Sequence, residues 1–143
     1  CKAGTFAAGG SGYCGFCSPG SYSGDGVATC QLCDAGTYAP YGSPRCIPCD
    51  PGQSSNSSGA GSCSQCQAGT FAPNPGSTSC SPCANGTWSA GGAFKCTACG
   101  ECVPDYDCQV ATCDPTQGCL KVTAPDGTVC GEGLTCTGGY CSE

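Results

Sequence analysis

The sequence contains no histidine and no methionine, and large aliphatic side chains are scarce. Leucine, isoleucine, valine and phenylalanine together fill only 13 of the 143 positions. No apolar run approaches the roughly 18 residues that span a bilayer, so we expect no membrane insertion. The scarcity of large aliphatic side chains also excludes a conventional hydrophobic core.

Catalytic patterns are also lacking. There is no histidine to act as a general base, no Gly-rich phosphate loop opening a helix, and no helical periodicity that could hold paired carboxylates. We therefore predict that the chain is not an enzyme and that it needs no cofactor.

Cysteine is the abundant residue. The chain has 20 cysteines together with 25 glycines and 11 prolines, and this cysteine content exceeds the roughly 8–10% that is typical of disulfide scaffolds. An even number of cysteines at this density indicates an oxidising compartment, so we expect an extracellular or cell-surface location. Because the sequence opens at Cys1 without an initiator methionine, we expect a processed product or part of a longer protein.

The first two thirds of the chain are a repeat. Up to Cys99, a long gap between cysteines alternates regularly with a C-x2-C pair, so that six similar units follow one another. In every unit the third residue after the opening cysteine is glycine, and a second glycine precedes the closing cysteine by four positions. An aromatic residue follows the first glycine by two positions in five units, at Phe6, Tyr22, Tyr38, Phe71 and Trp88, and the fourth unit has Ser54 there.

These fixed positions predict a small hairpin-like loop in each unit, because glycine permits positive φ and the Thr-aromatic segment suits a strand. Pairing the opening with the closing cysteine would enclose about 14 residues and stabilise each loop by roughly 3 kcal/mol. Spacing favours this pairing without proving it. The expected bonds are Cys1–Cys14, Cys17–Cys30, Cys33–Cys46, Cys49–Cys63, Cys66–Cys80 and Cys83–Cys96.

Stacked units should form a rod. We expect each of the five aromatic residues to pack on a neighbouring unit rather than to form a ligand platform. Straight stacking of six hairpins would span on the order of 60 Å.

Zinc is the main alternative to disulfides, because pairs of C-x2-C motifs are typical of tetrahedral thiolate sites. Such sites would couple the cysteine pairs two at a time, whereas the glycine and aromatic positions recur with the single period. We therefore favour disulfides and expect no metal.

The last 45 residues differ. Residues 1–98 carry balanced charges, whereas residues 99–143 hold seven acidic groups against Lys121 alone and so carry the whole net charge of −6. This acidity argues against a nucleic-acid partner. Glu101, Asp105, Asp107 and Asp114 match no calcium-binding loop, and a solvated acidic surface is the simpler interpretation. The remaining half-cystines, with 105 possible pairings, are Cys99, Cys102, Cys108, Cys113, Cys119, Cys130, Cys136 and Cys141.

Two glycosylation sequons are present, at Asn56 and Asn85. Asn56 lies in the unit that lacks its aromatic residue, so a glycan there would meet solvent and could cover the interruption. We expect an N-linked glycan at Asn56 and consider Asn85 a second candidate.

The string from Cys33 through Gly36 and Tyr38 to Cys46 and Cys49 resembles the ephrin-receptor-like cysteine-rich repeat of extracellular proteins, a relative of tumour-necrosis-factor-receptor modules. The resemblance covers residues 1–99, and it also implies bonding within each unit. It is specific for the repeat type but not for function, because such arrays occur in receptors, adhesion proteins and surface filaments.

The sequence therefore predicts a small disulfide-rich fold, mostly irregular with short β-hairpins. Residues 1–98 would form an elongated rod of six tandem repeats, and residues 99–143 an acidic cysteine knot-like module. We expect a non-catalytic spacer, or a building block of a cell-surface or filament assembly such as a mastigoneme-like filament, whose partners are other extracellular proteins or copies of itself. The alternative is a ligand-binding receptor or adhesion ectodomain, with Tyr13, Phe16, Tyr41 and Phe94 as candidate contact residues.

Overall fold

Each of the six repeats folds as a two-stranded antiparallel hairpin. The computed structural model describes all of residues 1–143. The strands are only two residues long, so each hairpin depends on the disulfide at its base rather than on strand length. The hairpins pair β1 (Thr5–Phe6) with β2 (Gly15–Phe16), β3 (Ser21–Tyr22) with β4 (Gln31–Leu32), β5 (Thr37–Tyr38) with β6 (Ile47–Pro48), β7 (Gln53–Ser54) with β8 (Ser64–Gln65), β9 (Thr70–Phe71) with β10 (Ser81–Pro82), and β11 (Thr87–Trp88) with β12 (Thr97–Ala98).

A tight turn precedes the first strand of each hairpin. The turn contains the first glycine of the repeat, and Gly20 shows its conformation with a φ of +86°, which glycine adopts without a Cβ penalty. In five repeats the following Thr or Ser donates its hydroxyl to the carbonyl three residues earlier, as Thr5 does to Lys2 at 2.6 Å. This bond explains why a hydroxyl residue follows the glycine.

Ten disulfides join all 20 cysteines, and no cysteine is free. The six bonds within the repeats are the ones that the spacing favours, with each opening cysteine bonded to its own closing cysteine. In the rest of the chain the bonds are Cys99–Cys113, Cys102–Cys119, Cys108–Cys136 and Cys130–Cys141.

Residues 99–143 form longer hairpins than the repeats do. Strand β13 (Gln109–Asp114) pairs antiparallel with β14 (Gly118–Thr123), and a three-stranded sheet follows, with β16 (Leu134–Thr137) between β15 (Val129–Gly131) and β17 (Tyr140–Ser142). The two sheets are tied by Cys108–Cys136, whose sulfurs are buried against Ala124.

Burial is confined to small side chains. Only 20 of the 143 residues are buried, and the buried hydrophobic ones are all cysteine or alanine. The prediction of a disulfide-rich, mostly irregular fold with short hairpins is therefore confirmed. None of its helical segments has the length and apolarity to cross a membrane.

Candidate interaction surfaces and the joints between repeats

Three backbone hydrogen bonds recur where one repeat meets the next, and we call this contact a joint. In the first bond, the N–H of a repeat's first glycine donates to a carbonyl of the next repeat, that of the residue after the aromatic position. Gly20 donates to the Ala39 carbonyl in this way at 2.7 Å. In the second bond, the N–H of the residue after the aromatic position donates to the next repeat, to the carbonyl of the residue after its second glycine. Ala39 donates to the Ala60 carbonyl at 3.1 Å. In the third, a second glycine donates back to the opening cysteine of the repeat before, as from Gly59 to Cys33 at 2.7 Å.

The same three bonds occur at all five joints between the six repeats. A disulfide therefore closes each hairpin, and a short backbone ladder fixes its orientation relative to the next hairpin. Because a backbone bond of this kind contributes about 0.5–1.5 kcal/mol net, three of them give each joint a modest stability of its own.

Repeats also contact their second neighbours. A Cβ placed on Gly20 would lie 1.9 Å from the carbonyl oxygen of Gly59, two repeats further on. The pairs Gly4 with Gly42, Gly36 with Gly76 and Gly52 with Gly92 show the same approach. In a straight single file, second neighbours would be about 19 Å apart. Second neighbours therefore approach each other more closely than straight stacking allows, and the array is more tightly wound than expected.

The joints alternate between serine and small apolar residues. The glycine and aromatic positions recur in every repeat and do not show this alternation. The residue after the aromatic position alternates strictly between alanine and serine along the six repeats: Ala7, Ser23, Ala39, Ser55, Ala72 and Ser89. The residue after the second glycine alternates in the opposite order between serine and a small apolar residue: Ser11, Val27, Ser43, Ala60, Ser77 and Ala93.

The second backbone bond matches these positions like with like. Ser23 bonds to Ser43 and Ser55 to Ser77, whereas Ala39 bonds to Ala60 and Ala72 to Ala93. The buried serine hydroxyls are satisfied in two ways. Ser23 and Ser89 donate to a carbonyl of the repeat before, as Ser89 does to Thr70 at 2.8 Å. Ser21, Ser43 and Ser55 donate within their own repeats, and no buried side-chain polar atom lacks a partner. The structural unit along the array is therefore a pair of repeats.

The five aromatic side chains at the regular position are half-buried, and contacts of three of them are defined. The Phe6 ring covers Gly15 of its own repeat, and the Tyr22 hydroxyl bonds to Gln31 of its own repeat at 3.0 Å. Trp88 differs, because its indole lies against Gly118 of strand β14. Backbone bonds between small residues join the repeats.

The four aromatic residues outside the regular position are exposed. Tyr13 is 87% exposed, Phe16 57%, Tyr41 65% and Phe94 54%. Phe16 and Tyr41 come together although they belong to the first and third repeats, with ring centroids 5.4 Å apart. Winding of the array, which brings second neighbours into contact, creates this exposed aromatic pair.

The missing aromatic residue of the fourth repeat leaves a polar concavity of about 340 Å³. Serine side chains line most of it, and Asn56 lies at this concavity with its side chain exposed. Asn85 is also exposed, beside a concavity of about 370 Å³ between the sixth repeat and the residues near Pro115.

The acidic residues of the C-terminal part do not converge on one point. Asp105 accepts a 2.6 Å bond from Lys121. Asp114 caps the turn that follows it, accepting from the hydroxyl and N–H of Thr116 and from the N–H of Gln117. These bonds, chiefly the one from the Thr116 hydroxyl, lower the pKa of Asp114 below its ordinary value.

Two other features of the C-terminal part could attract a ligand. Sulfurs of Cys108, Cys130 and Cys141 lie within 4.8 Å of one another, but all three are in disulfides and so are not thiolate ligands. A shallow concavity of about 580 Å³ opens between Tyr106 and Tyr140, with Asp107 on its wall.

One known family matches these repeats. The model of the family described as tyrosine-protein kinase ephrin type A/B receptor-like matches residues 20–62 and again residues 36–83. The repeats of this stretch are ephrin-receptor-like cysteine-rich repeats. The two matches begin at Gly20 and Gly36, which are equivalent positions in successive repeats. Each match is longer than one hairpin, so the family model describes several of these ephrin-receptor-like repeats together. No curated protein sequence matches the chain. Together with the ten disulfides, the family indicates an extracellular module.

Proposed function

We propose that the chain is a non-catalytic structural segment, serving as a strut or as a building block of a cell-surface or filament assembly. The observation that carries this proposal is the unbroken series of joints, in which each repeat is closed by a disulfide and bonded to the next through the backbone. Contacts between second neighbours add resistance to bending, because moving one repeat disturbs two others. A semi-rigid array is what a spacer requires.

The side-chain chemistry is consistent with this role. The lowered pKa of Asp114 is caused by hydrogen bonds within a turn rather than by a cleft. Strongly perturbed groups gathered in a cleft are what an active site typically shows. We further propose the division at residue 98, since the hairpin lengths and the charge both change beyond it.

Solution scattering combined with sedimentation tests the proposal. A strut gives an elongated monomer, or a concentration-dependent polymer, and the maximum dimension of the monomer is shorter than six straight repeats plus the C-terminal part would give. Capture of a soluble extracellular partner by the monomeric fragment would instead support a receptor role.

A ligand-binding or adhesion role is the second candidate, and the Phe16–Tyr41 pair favours it. Exposed aromatic residues that meet across repeats are typical of interface hot spots. The Tyr41→Ala variant, which leaves the joints intact, should then abolish partner capture, whereas an unchanged capture by that variant would remove this support.

We also propose an N-linked glycan at Asn56. The asparagine is exposed and lies at the serine-lined concavity, where a sugar would find hydroxyl partners. Secretion from a eukaryotic cell should yield a chain whose mass falls after glycosidase treatment, and Asn56→Gln should remove that fall. If Asn85→Gln removes it instead, the assignment to Asn56 is wrong.

A further inference from the structure

The joints are directional, so the two ends of the array differ. Each repeat bonds to the repeat before it through three backbone groups. Two are carbonyls that accept, one on the residue after the aromatic position and one on the residue after the second glycine. The third is the N–H of the second glycine, which donates. In the first repeat these groups belong to Ala7, Ser11 and Gly10, and no other repeat bonds to them.

Second-neighbour contacts give independent evidence for the same open surface. In the third to sixth repeats, the second glycine is covered by the side chain just before a C-x2-C cysteine two repeats earlier, as Gly42 is covered by Phe16 and Gly59 by Leu32. In the second repeat, Gly26 has nothing within 4 Å of an added Cβ. The surface formed by Ala7, Gly10, Ser11 and Gly26 is therefore a joint without its partner, and we call it the open joint.

The opposite end is closed by the C-terminal part. The carbonyl of Pro115 accepts from Ser89 at 3.0 Å, in the bond that a seventh repeat would otherwise accept. Pro115 and Thr116 also lie against Gly69, where a second-neighbour repeat would lie, and Trp88 covers Gly118. The β13–β14 turn thus substitutes for a repeat, as terminal caps do in solenoid proteins.

We propose that the C-terminal part is a cap which ends the array, and that the open joint binds one further cysteine-rich repeat of the same kind. This inference goes beyond the role of a strut, since it names a surface, a direction and a partner. The alternation also specifies the partner. Because Ser11 forms the next joint, the incoming repeat should carry serine after its aromatic position, and its first glycine should contact Gly26.

The test extends the full chain by one repeat at its N-terminus. A copy of residues 17–32 is placed directly before Cys1, which keeps the C-x2-C spacing and supplies serine at the position copied from Ser23. Mass spectrometry first checks that the added disulfide has formed. Hydrogen exchange by NMR then measures the amide of Gly10, together with the copied amides of Gly20 and Ser23.

Docking should slow exchange at Gly10 by about tenfold relative to the unextended chain. The copied amides should approach the rates of Gly20 and Ser23 themselves, which are identical in sequence and already bonded. A matched extension carrying Gly20→Ala in the copy should form its disulfide and lose the protection at Gly10, because the added Cβ would meet the Gly26 carbonyl.

Two outcomes would overturn the proposal. In one, the extension forms its disulfide yet its amides exchange as an exposed loop and Gly10 is unchanged. In the other, the unextended chain dimerises through this surface, with Gly10 protected only at high concentration, so that the partner is a second copy rather than an added repeat.

Discussion

The contact of Gly20 with the Gly59 carbonyl provides the sharpest test of how the array is wound. Alanine at position 20 would keep a φ near +86° and would place its Cβ 1.9 Å from that oxygen. Holding a non-glycine residue in this conformation costs about 1–3 kcal/mol. Moving the carbonyl away would also strain the bond from the Gly59 N–H to Cys33, which contributes about 1 kcal/mol net.

We therefore expect Gly20→Ala to destabilise the joints around the second and fourth repeats by about 2–4 kcal/mol. Guanidinium unfolding with the disulfides intact gives the global value, and native-state hydrogen exchange at Ala39 and Cys33 shows whether the loss is local. The disulfide loop itself should still form, because the substitution leaves both of its cysteines, Cys17 and Cys30, in place.

Gly24 in the same repeat supplies the control. It is exposed, its φ is not in the left-handed region, and an added Cβ would meet nothing within 4 Å. Gly24→Ala should leave stability unchanged or raise it by roughly 0.4–1 kcal/mol through the unfolded state. Gly86→Ala separates the two costs, because Gly86 has a φ of +80° and an added Cβ there would meet nothing within 4 Å. It should lose only the roughly 1–3 kcal/mol of the left-handed conformation. If Gly20→Ala loses no more than Gly86→Ala, the second-neighbour contact does not exist in solution and the tight winding is wrong.

Three further predictions concern the ends of the array. Gly118→Val should displace Trp88, the only tryptophan, and shift its fluorescence to longer wavelength, whereas Gly127→Val, with a similar φ but open surroundings, should not. Thr116→Val should raise the pKa of Asp114 toward its ordinary value in an NMR titration. Because folding lowers this pKa, the ionised Asp114 stabilises the turn at pH values above the pKa that Asp114 has in the unfolded chain. This stabilisation is lost as the pH falls through the pKa that Asp114 has in the folded chain. Under limiting reductant, the disulfide of the first repeat, whose two cysteines are both exposed, should open before those of the second to fifth repeats, and alkylation with peptide mapping would reveal any other order.

Much of the repeat architecture could be predicted because its determinants lie close together in the chain. The opening and closing cysteines are 13 or 14 residues apart, and the turn glycine and its hydroxyl neighbour act within a single turn. Such local constraints recur in every unit, so comparing the units with one another reveals them. The pairing in the C-terminal part could not be predicted this way, because its separations run from 11 to 28 residues and no unit is repeated there.

The winding was missed for a different reason. A sequence period reports how often a unit recurs but not the rotation between successive units, and this rotation decides whether second neighbours touch. One signal was available in the alternation of Ala7, Ser23, Ala39 and Ser55. It acquires a physical meaning only once the structure shows that these positions face their like across a joint.

Burial of the cysteines shows why disulfides and winding depend on each other. The opening cysteines of the second to fifth repeats are at most 2% exposed, whereas Cys1 is exposed and Cys83 is only half-buried. A repeat therefore buries its opening cysteine only when it has repeats on both sides, so one half of each cross-link that replaces a hydrophobic core is covered by the stacking that the cross-links make possible. An isolated repeat would have the covalent loop but neither the joints nor this cover. Ordering the chain consequently requires several repeats in register.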